Sequence, residues 1–249
     1  MARKKIVFVI VEGPSDSDAL GLYFNRFFDR NSVYVHIVHG DLTTMKGKIK
    51  DNIANIVRSY ANSTHLQKSD FQEIIHIVDL DGVYISDDDV IGDSVAVEPI
   101  YSTTEIRTCN PEGIKFRNEL KRKNLDVISS IQTVWGGVTY HAIYMSCNLE
   151  HVLYNKLNCS DLEKECYAHN FAKKFSRDLH AFVTFIAKSS FSVPGTYIET
   201  WKFIKQKKHS LERYTNLGIC LDSSGMINSD LKSNDTRDMN MSQSDNGNS

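Results

Sequence analysis

Ile6-Val7-Phe8-Val9-Ile10-Val11, running into Glu12-Gly13-Pro14-Ser15-Asp16, is the stretch whose reading decides the fold. Six consecutive apolar residues, mostly β-branched, predict a central strand buried on both faces, as in parallel sheets. Glu12 then falls at the C-terminal edge of that sheet, where open α/β sheets bind their ligands. A second run, Ile74-Ile75-His76-Ile77-Val78, ends the same way in Asp79-Leu80-Asp81-Gly82. Between them, Ser15 and Asp18 stand in capping-box spacing before a helix that buries Leu20, Tyr23, Phe24, Phe27 and Phe28. Asn31-Ser32 ends that helix, and Val33 to Val38 reads as a strand. After the loop His39-Gly40-Asp41, a second helix carries Ile49, Ile53, Ile56, Val57 and Tyr60 on one face. The order is βαβαβ, with connections of a length that favours parallel pairing.

Beyond Gly82 the pattern weakens. Residues 83–108, with Asp87-Asp88-Asp89 and Gly92-Asp93, read as a mobile insertion with a short strand near Ala96. Asn110-Pro111-Glu112 has the cap residue and first-turn proline of a helix start. That helix is expected to reach about Asn124 with Lys115, Arg117, Lys121, Arg122 and Lys123 exposed. Val127 to Ile131 is expected as a short strand, Trp135-Gly136-Gly137 as a turn, and Thr139 to Ser146 as another strand. A helix opens at Cys147-Asn148-Leu149-Glu150, and Asp161 to Lys188 reads as one long helix striped by Phe171, Phe175, Leu179, Phe182, Val183 and Ile186. Pro194-Gly195 breaks it before a further helix with Tyr197, Trp201, Phe203 and Ile204. The expected organisation is an α/β domain over 1–158, a helical module over 159–221 and a disordered tail over 222–249.

Composition narrows the class of protein. With 249 residues, 41% hydrophobic and 24% charged, the chain has the balance of a soluble globular protein with one good-sized core. A net charge of −2 advertises no global basic field, although a local basic face would suffice for nucleic acid. The candidate for such a face is Lys202, Lys205, Lys207, Lys208 and Arg213, with Tyr197, Trp201 and Tyr214 nearby; its bland reading is a solvated helix face. Five cysteines without CxxC spacing argue against a zinc or disulfide framework and for a reducing cytoplasm. The apolar stretch after Met1-Ala2-Arg3-Lys4-Lys5 stops at Glu12, too short for a signal h-region or a membrane span.

If the first and third strands lie side by side, their ends are about 5 Å apart, and Glu12, Asp79 and Asp81 share one crevice. Asp79 and Asp81 are two apart, so a continued strand would point both to one face. Bare, such a cluster is unfavourable, because like charges raise one another's pKa. A divalent cation removes the conflict, and all-oxygen donors suit Mg2+ or Mn2+, which points to metal-assisted phosphoryl transfer. The bland readings are turn formation before Gly82 for Asp79 and Asp81, and a favourable helix-dipole position for Asp16. Asp87-Asp88-Asp89 reads as a solvated loop, His76 and His141 as structural strand histidines, and His39 and His151 lie near the predicted catalytic edge.

An apolar strand ending in Val11-Glu12-Gly13, Asp16 four residues after the Glu, and a second strand ending in Asp79-Leu80-Asp81-Gly82 together resemble the TOPRIM domain, most closely its OLD-type and small-RNase branch. Ser146-Cys147-Asn148-Leu149-Glu150 also resembles a segment of standalone TOPRIM proteins from bacterial defence systems. The match covers about residues 5–82 and 139–155 and leaves out the insertion, the C-terminal helices and the tail. The resemblance implies a TOPRIM-like, Rossmann-like sheet and a Mg2+- or Mn2+-dependent endonuclease acting on DNA or RNA with one or two ions. Glu12 would be a metal ligand or general acid/base, Asp79 and Asp81 metal ligands, and Asp16 and Glu150 would complete a second metal position. It further implies an anti-phage effector held in check by an ABC-type ATPase, supplied in trans because the chain has no GxxxxGK[ST] pattern, with a homodimer left open. The alternative is a non-catalytic nucleic-acid-binding or regulatory module. A response-regulator-like domain is set aside because no later strand ends in the lysine it needs.

Overall fold

Strand β1 (Ile6–Val11) is an interior strand, second from the edge, of a five-stranded sheet in the computed structural model, which describes residues 5–28, 33–37 and 41–222. The later strands are β2 (Val33–Ile37), β3 (Phe71–Asp79), β4 (Val90–Gly92), β5 (Ile100–Tyr101), β6 (Ile106–Thr108), β7 (Thr133–Val134) and β8 (Val138–Met145). The main sheet has the order β2-β1-β3-β8-β7, parallel except at the β7–β8 hairpin. The chain moves from β1 out to β2, then crosses back over β1 to β3. The strand order therefore reverses between β1 and β3, and the crevice beyond their C-terminal ends is a topological switch point.

The unbroken apolar run of β1 is explained by its two covers. Val7, Val9 and Val11 point to a core shared with α1 (Pro14–Phe27), α5 (Asp161–Phe175) and α6 (Leu179–Lys188). Phe8 and Ile10 point to a second core under α2 (Ile49–Ser63), α3 (Pro111–Ile128) and α7 (Tyr197–Ile204). Helix α4 (Leu149–Tyr154) and the short α8 (Gly218–Asp222) join the first face, so the C-terminal helices are divided between the two. The result is a mostly parallel Rossmann-like α/β sheet flanked by helices. Among the described residues no helix is long and apolar enough to cross a membrane.

Several local expectations are corrected. Helix α1 is capped by Gly13 rather than Ser15, with Pro14 in its first turn, because the Gly13 N–H donates to Asp16 Oδ2 at 3.0 Å. The 83–108 segment holds a small sheet of order β4-β6-β5, and Ala96 lies outside its strands. Ile85, Val90, Ile106, Ile114 and Leu211 form a satellite core beneath that sheet. Val127 belongs to α3, which continues to Ile128 because Leu125 and Ile128 are buried against the main sheet. The expected long helix over 161–188 is two helices, since Asp178 accepts from the Ala181 N–H at 2.8 Å and starts α6 afresh. His39, Asn31-Ser32 and the tail beyond Asp222 lie outside the described residues.

Candidate functional site

Glu12 follows the last residue of β1, and Asp79 is the last residue of β3. Ile10 pairs with His76, so the two carboxylates leave neighbouring strands at nearly the same level. Asp16 stands one turn into α1, its carboxylate turned back onto the Gly13 N–H and only 8% exposed. Glu150 is buried in the first turn of α4, a helix that β8 delivers to the same edge and Asn148 caps by accepting from the His151 N–H. Four of the five predicted acids thus come to one end of the sheet.

Burial raises Asp79 well above the usual carboxylate range, and Asp16, Glu12, Asp81 and Glu150 each add to it. Burial also raises Glu12, with Lys121 opposing and Asp41, Asp81 and Asp16 reinforcing. Asp16 is pushed up to about 7 by burial and then by Glu150. Glu150 is raised by burial, partly offset by Lys164. These groups resist ionising chiefly because they are buried; for Glu12, Asp16 and Asp79 the charge of neighbouring acids adds to it, which is the part anticipated from sequence. Glu12 Oε1 is buried and has no hydrogen-bond partner among the described residues.

Asp81 behaves differently. The strand ends at Asp79, and Asp81 takes a left-handed backbone with φ +48°, so the two acids do not continue one strand face. The Asp81 N–H donates to the Cys147 carbonyl at 2.7 Å, and its own carbonyl accepts from Arg117 Nη2 at 2.9 Å. Its carboxylate is taken by Lys121, whose Nζ lies 2.6 Å from Asp81 Oδ2 and 2.6 Å from Asp41 Oδ2. The expectation that Lys121 is exposed is wrong: its side chain has 0% exposure. Arg117 is likewise drawn inward, donating to Tyr101 Oη at 2.6 Å. Burial works against the Lys121 charge, but Asp81, Glu12 and Asp41 together outweigh it and raise the ammonium above its ordinary value. Asp41, which burial alone would raise, is held below its ordinary value by Lys121 and by hydrogen bonds from Thr43.

Sequence reasoning missed Lys121, Asp41 and Arg117 as members of the site. A signal for Lys121 exists, since it falls in helical register with Ile114, Asn118, Leu125 and Ile128, all on the buried face of α3. Asp41 caps the short turn Leu42–Thr44, which an Asp two residues before Thr43 foreshadows.

Beside Asp79 and Asp81 opens a cleft of about 810 Å³, lined by the loop from Val95 to Pro99 that leads into β5, by Ile100 and Tyr101 of β5, and by Asn148, Ser160 and Lys164. Among the described residues no three His, Cys, Asp or Glu side chains form a ready-made metal cage. His76 is buried, with Nδ1 2.8 Å from Tyr140 Oη, and His141 lies 3.8 Å from Glu73, both structural placements. Burial pulls His151 down to about 4, with Arg213 adding to it. The basic cluster is spread out: Lys205 pairs with Asp126 at 2.8 Å, Lys208 with Asp89 at 2.6 Å, and Arg213 Nε donates to the Val152 carbonyl. Lys202 and Lys207 are exposed.

Fold and site together define a Rossmann-like α/β protein with carboxylates gathered at the switch point of its sheet, Glu12 and Asp79 half-buried and Asp16 and Glu150 buried. No family model matches the chain, and neither a curated protein nor a solved structure does.

Proposed function

We propose that the chain is a Mg2+- or Mn2+-dependent nuclease of TOPRIM type. The observation that carries this reading is the convergence of Glu12, Asp79, Asp16 and Glu150 at the switch point, each raised by burial, with Glu12 Oε1 lacking a partner among the described residues. Such oxygens fit a hard divalent cation. Mg2+ commonly takes one or two carboxylates, several waters and substrate phosphate, so a complete protein cage is not required. Glu12 and Asp79 would hold the ion, with Asp16 and Glu150 behind them. A bound ion supplies Lewis acidity and lowers the pKa of water, which suits hydrolysis of a phosphodiester. For its own part, the chain supplies the open cleft beside Asp79, with Lys164 in its lining to draw in a phosphate backbone. The proposal extends to an anti-phage effector whose ATPase partner is supplied in trans.

A second reading is a non-catalytic module that grips phosphate. The engagement of Asp81 by Lys121 favours it, because one of the acids expected to bind metal is already neutralised. Incubation of plasmid, single-stranded DNA and total tRNA with Mg2+ or Mn2+ separates the two. Cutting by the wild type that falls by about a hundredfold or more in both Glu12→Gln and Asp79→Asn supports the nuclease. Equal cutting by all three proteins, or binding without cutting even with the partner ATPase added, removes it.

A further inference from the structure

We infer that the cleft beside Asp79 and Asp81 takes the terminal one or two nucleotides of an unpaired strand, with Lys164 on a phosphate and Val95, Val97 and Ile100 against the bases. The inference rests on the nuclease reading above and specifies the form of its substrate.

Size sets the first limit. At about 810 Å³ the cleft falls in the range of small-ligand sites, about 300–1,000 Å³, which suits a nucleotide or two and not a helical turn. Its span is also fixed, because two stretches that line it are tied to each other. Asn158, in a left-handed backbone at φ +57°, accepts from the Tyr101 N–H at 2.8 Å and donates to the Tyr101 carbonyl at 2.9 Å. Arg117 holds the same tyrosine by its hydroxyl and also donates to the Asp81 carbonyl.

The lining says which part of a nucleotide goes where. Val95 and Val97 are 83% and 90% exposed on either side of the buried Ala96, and Ile100 follows at 46%. They are presented by a fixed turn: the Val95 N–H donates to Asp93 Oδ1 at 3.1 Å and the Ala96 N–H to the Asp93 carbonyl. Unpaired bases offer flat apolar faces to such side chains, whereas paired bases keep theirs inside the stack.

Charge limits how much of the strand is held. Lys164 is the one basic residue lining the cleft, and its ion pair with the fully exposed Asp161, at 3.8 Å, is of the weak surface kind. Its charge also acts on Asp16 and Glu150, so a phosphate on Lys164 lies beside the acids. Glu98 lines the same cleft, and residues 83–108 carry six acids against one arginine. A duplex, with a charge every ~1.7 Å of its axis, would lay phosphates along those acids, and so would a strand that ran on through the cleft. A strand that ends there needs one phosphate on Lys164 and brings none past Glu98.

The test compares ends with closed circles. In EDTA, saturation-transfer NMR on the full chain should show an oligothymidine trinucleotide bound through its base protons, and the uridine trinucleotide distinguishes RNA from DNA. A long linear single strand should compete with an affinity within about threefold of the trinucleotide, and a closed single-stranded circle or a blunt duplex at least about tenfold more weakly. Against salt, the logarithm of trinucleotide affinity should fall with a slope of about −0.7, the value for one phosphate on a single strand. Val97→Asp and Lys164→Met, both at exposed or half-exposed positions, should each weaken the trinucleotide at least about fivefold. Circles bound, or cut in Mn2+, as well as linear strands overturn the inference and leave the nuclease standing. Unchanged binding in both variants also overturns it, because the ends would then lie outside this cleft. End-selective binding without cutting supports the inference and removes the nuclease; neither binding nor cutting of any form overturns both.

Discussion

A lysine without exposed surface must have its charge met inside the protein, and Lys121 meets it with two carboxylates from loops 40 residues and more away in sequence. Removing the ammonium leaves Asp41 and Asp81 facing each other, each only partly open to solvent. Lys121→Met should therefore lower stability by about 3 kcal/mol, the lower end for breaking a buried pair, read as a reduced urea midpoint. Asp41→Asn combined with Asp81→Asn and Lys121→Met, which removes all three charges, should recover much of that loss. Failure of the triple variant to recover would mean that packing of the lysine stem, not its charge, is what matters. The residue scale is also where the sequence was hardest to read. Glu12 and Asp79 were legible because each follows or ends a strand whose apolar run is unambiguous, whereas Glu150 entered only through the resemblance of its segment. Lys121 was not, because a run of Lys115, Arg117, Lys121, Arg122 and Lys123 looks like a solvated face, and only the register with Ile114 and Leu125 marks one of them as buried. Asp41 acquires its role through a contact at long range, which no local pattern encodes.

Among the elements, the turn after β3 is the most demanding. Asp81 and Gly82 both have left-handed backbones, at φ +48° and +67°, and a Cβ on Gly82 would lie 2.3 Å from Leu211 Cδ2. Glycine is required there twice over, by conformation and by close approach. Gly82→Ala should cost about 3 kcal/mol, combining left-handed strain with overpacking against the satellite core. The same turn presents Asp81 to Lys121, and an unchanged urea midpoint in the variant would contradict this account. The buried strands β1, β3 and β8 were legible as apolar runs, and Asn110-Pro111 marked the start of α3. The strands of the 83–108 segment were not, since two or three residues carry too little pattern to be told from a loop. The division between α5 and α6 was obscured by phenylalanines that keep helical spacing across the break, Phe171 and Phe175 before it and Phe182 after, all in one core.

For the molecule as a whole, the buried acids make stability depend on pH in a direction that can be worked out. Unfolded, Glu12, Asp16, Asp79 and Glu150 ionise near pH 4. Folded, all four are raised, Asp16 to about 7 and Glu12 and Asp79 well above their ordinary values. The native state therefore binds more protons than the unfolded chain above pH 4, and stability falls as pH rises through that range. His76 and His151 work the other way, because burial pulls each to about 4, and between pH 4 and 6.5 the unfolded chain binds their protons while the native state does not. The opposing contributions overlap below pH 6.5, so the acids act alone only above it. In EDTA, thermal unfolding should show Tm falling between pH 6.5 and pH 8 by about 3 °C or more, since one proton over one pH unit is ~1.4 kcal/mol and a chain of this size loses roughly 2–4 °C per kcal/mol. Saturating Mn2+ should reverse the slope, because the ion binds the ionised carboxylates and displaces their protons. Glu12→Gln should flatten both curves by removing one of the titrating acids and one ligand. A Tm that rises with pH in EDTA across this window would mean that the carboxylates are already ionised in the folded protein, with a counter-charge other than Lys121 relieving their conflict.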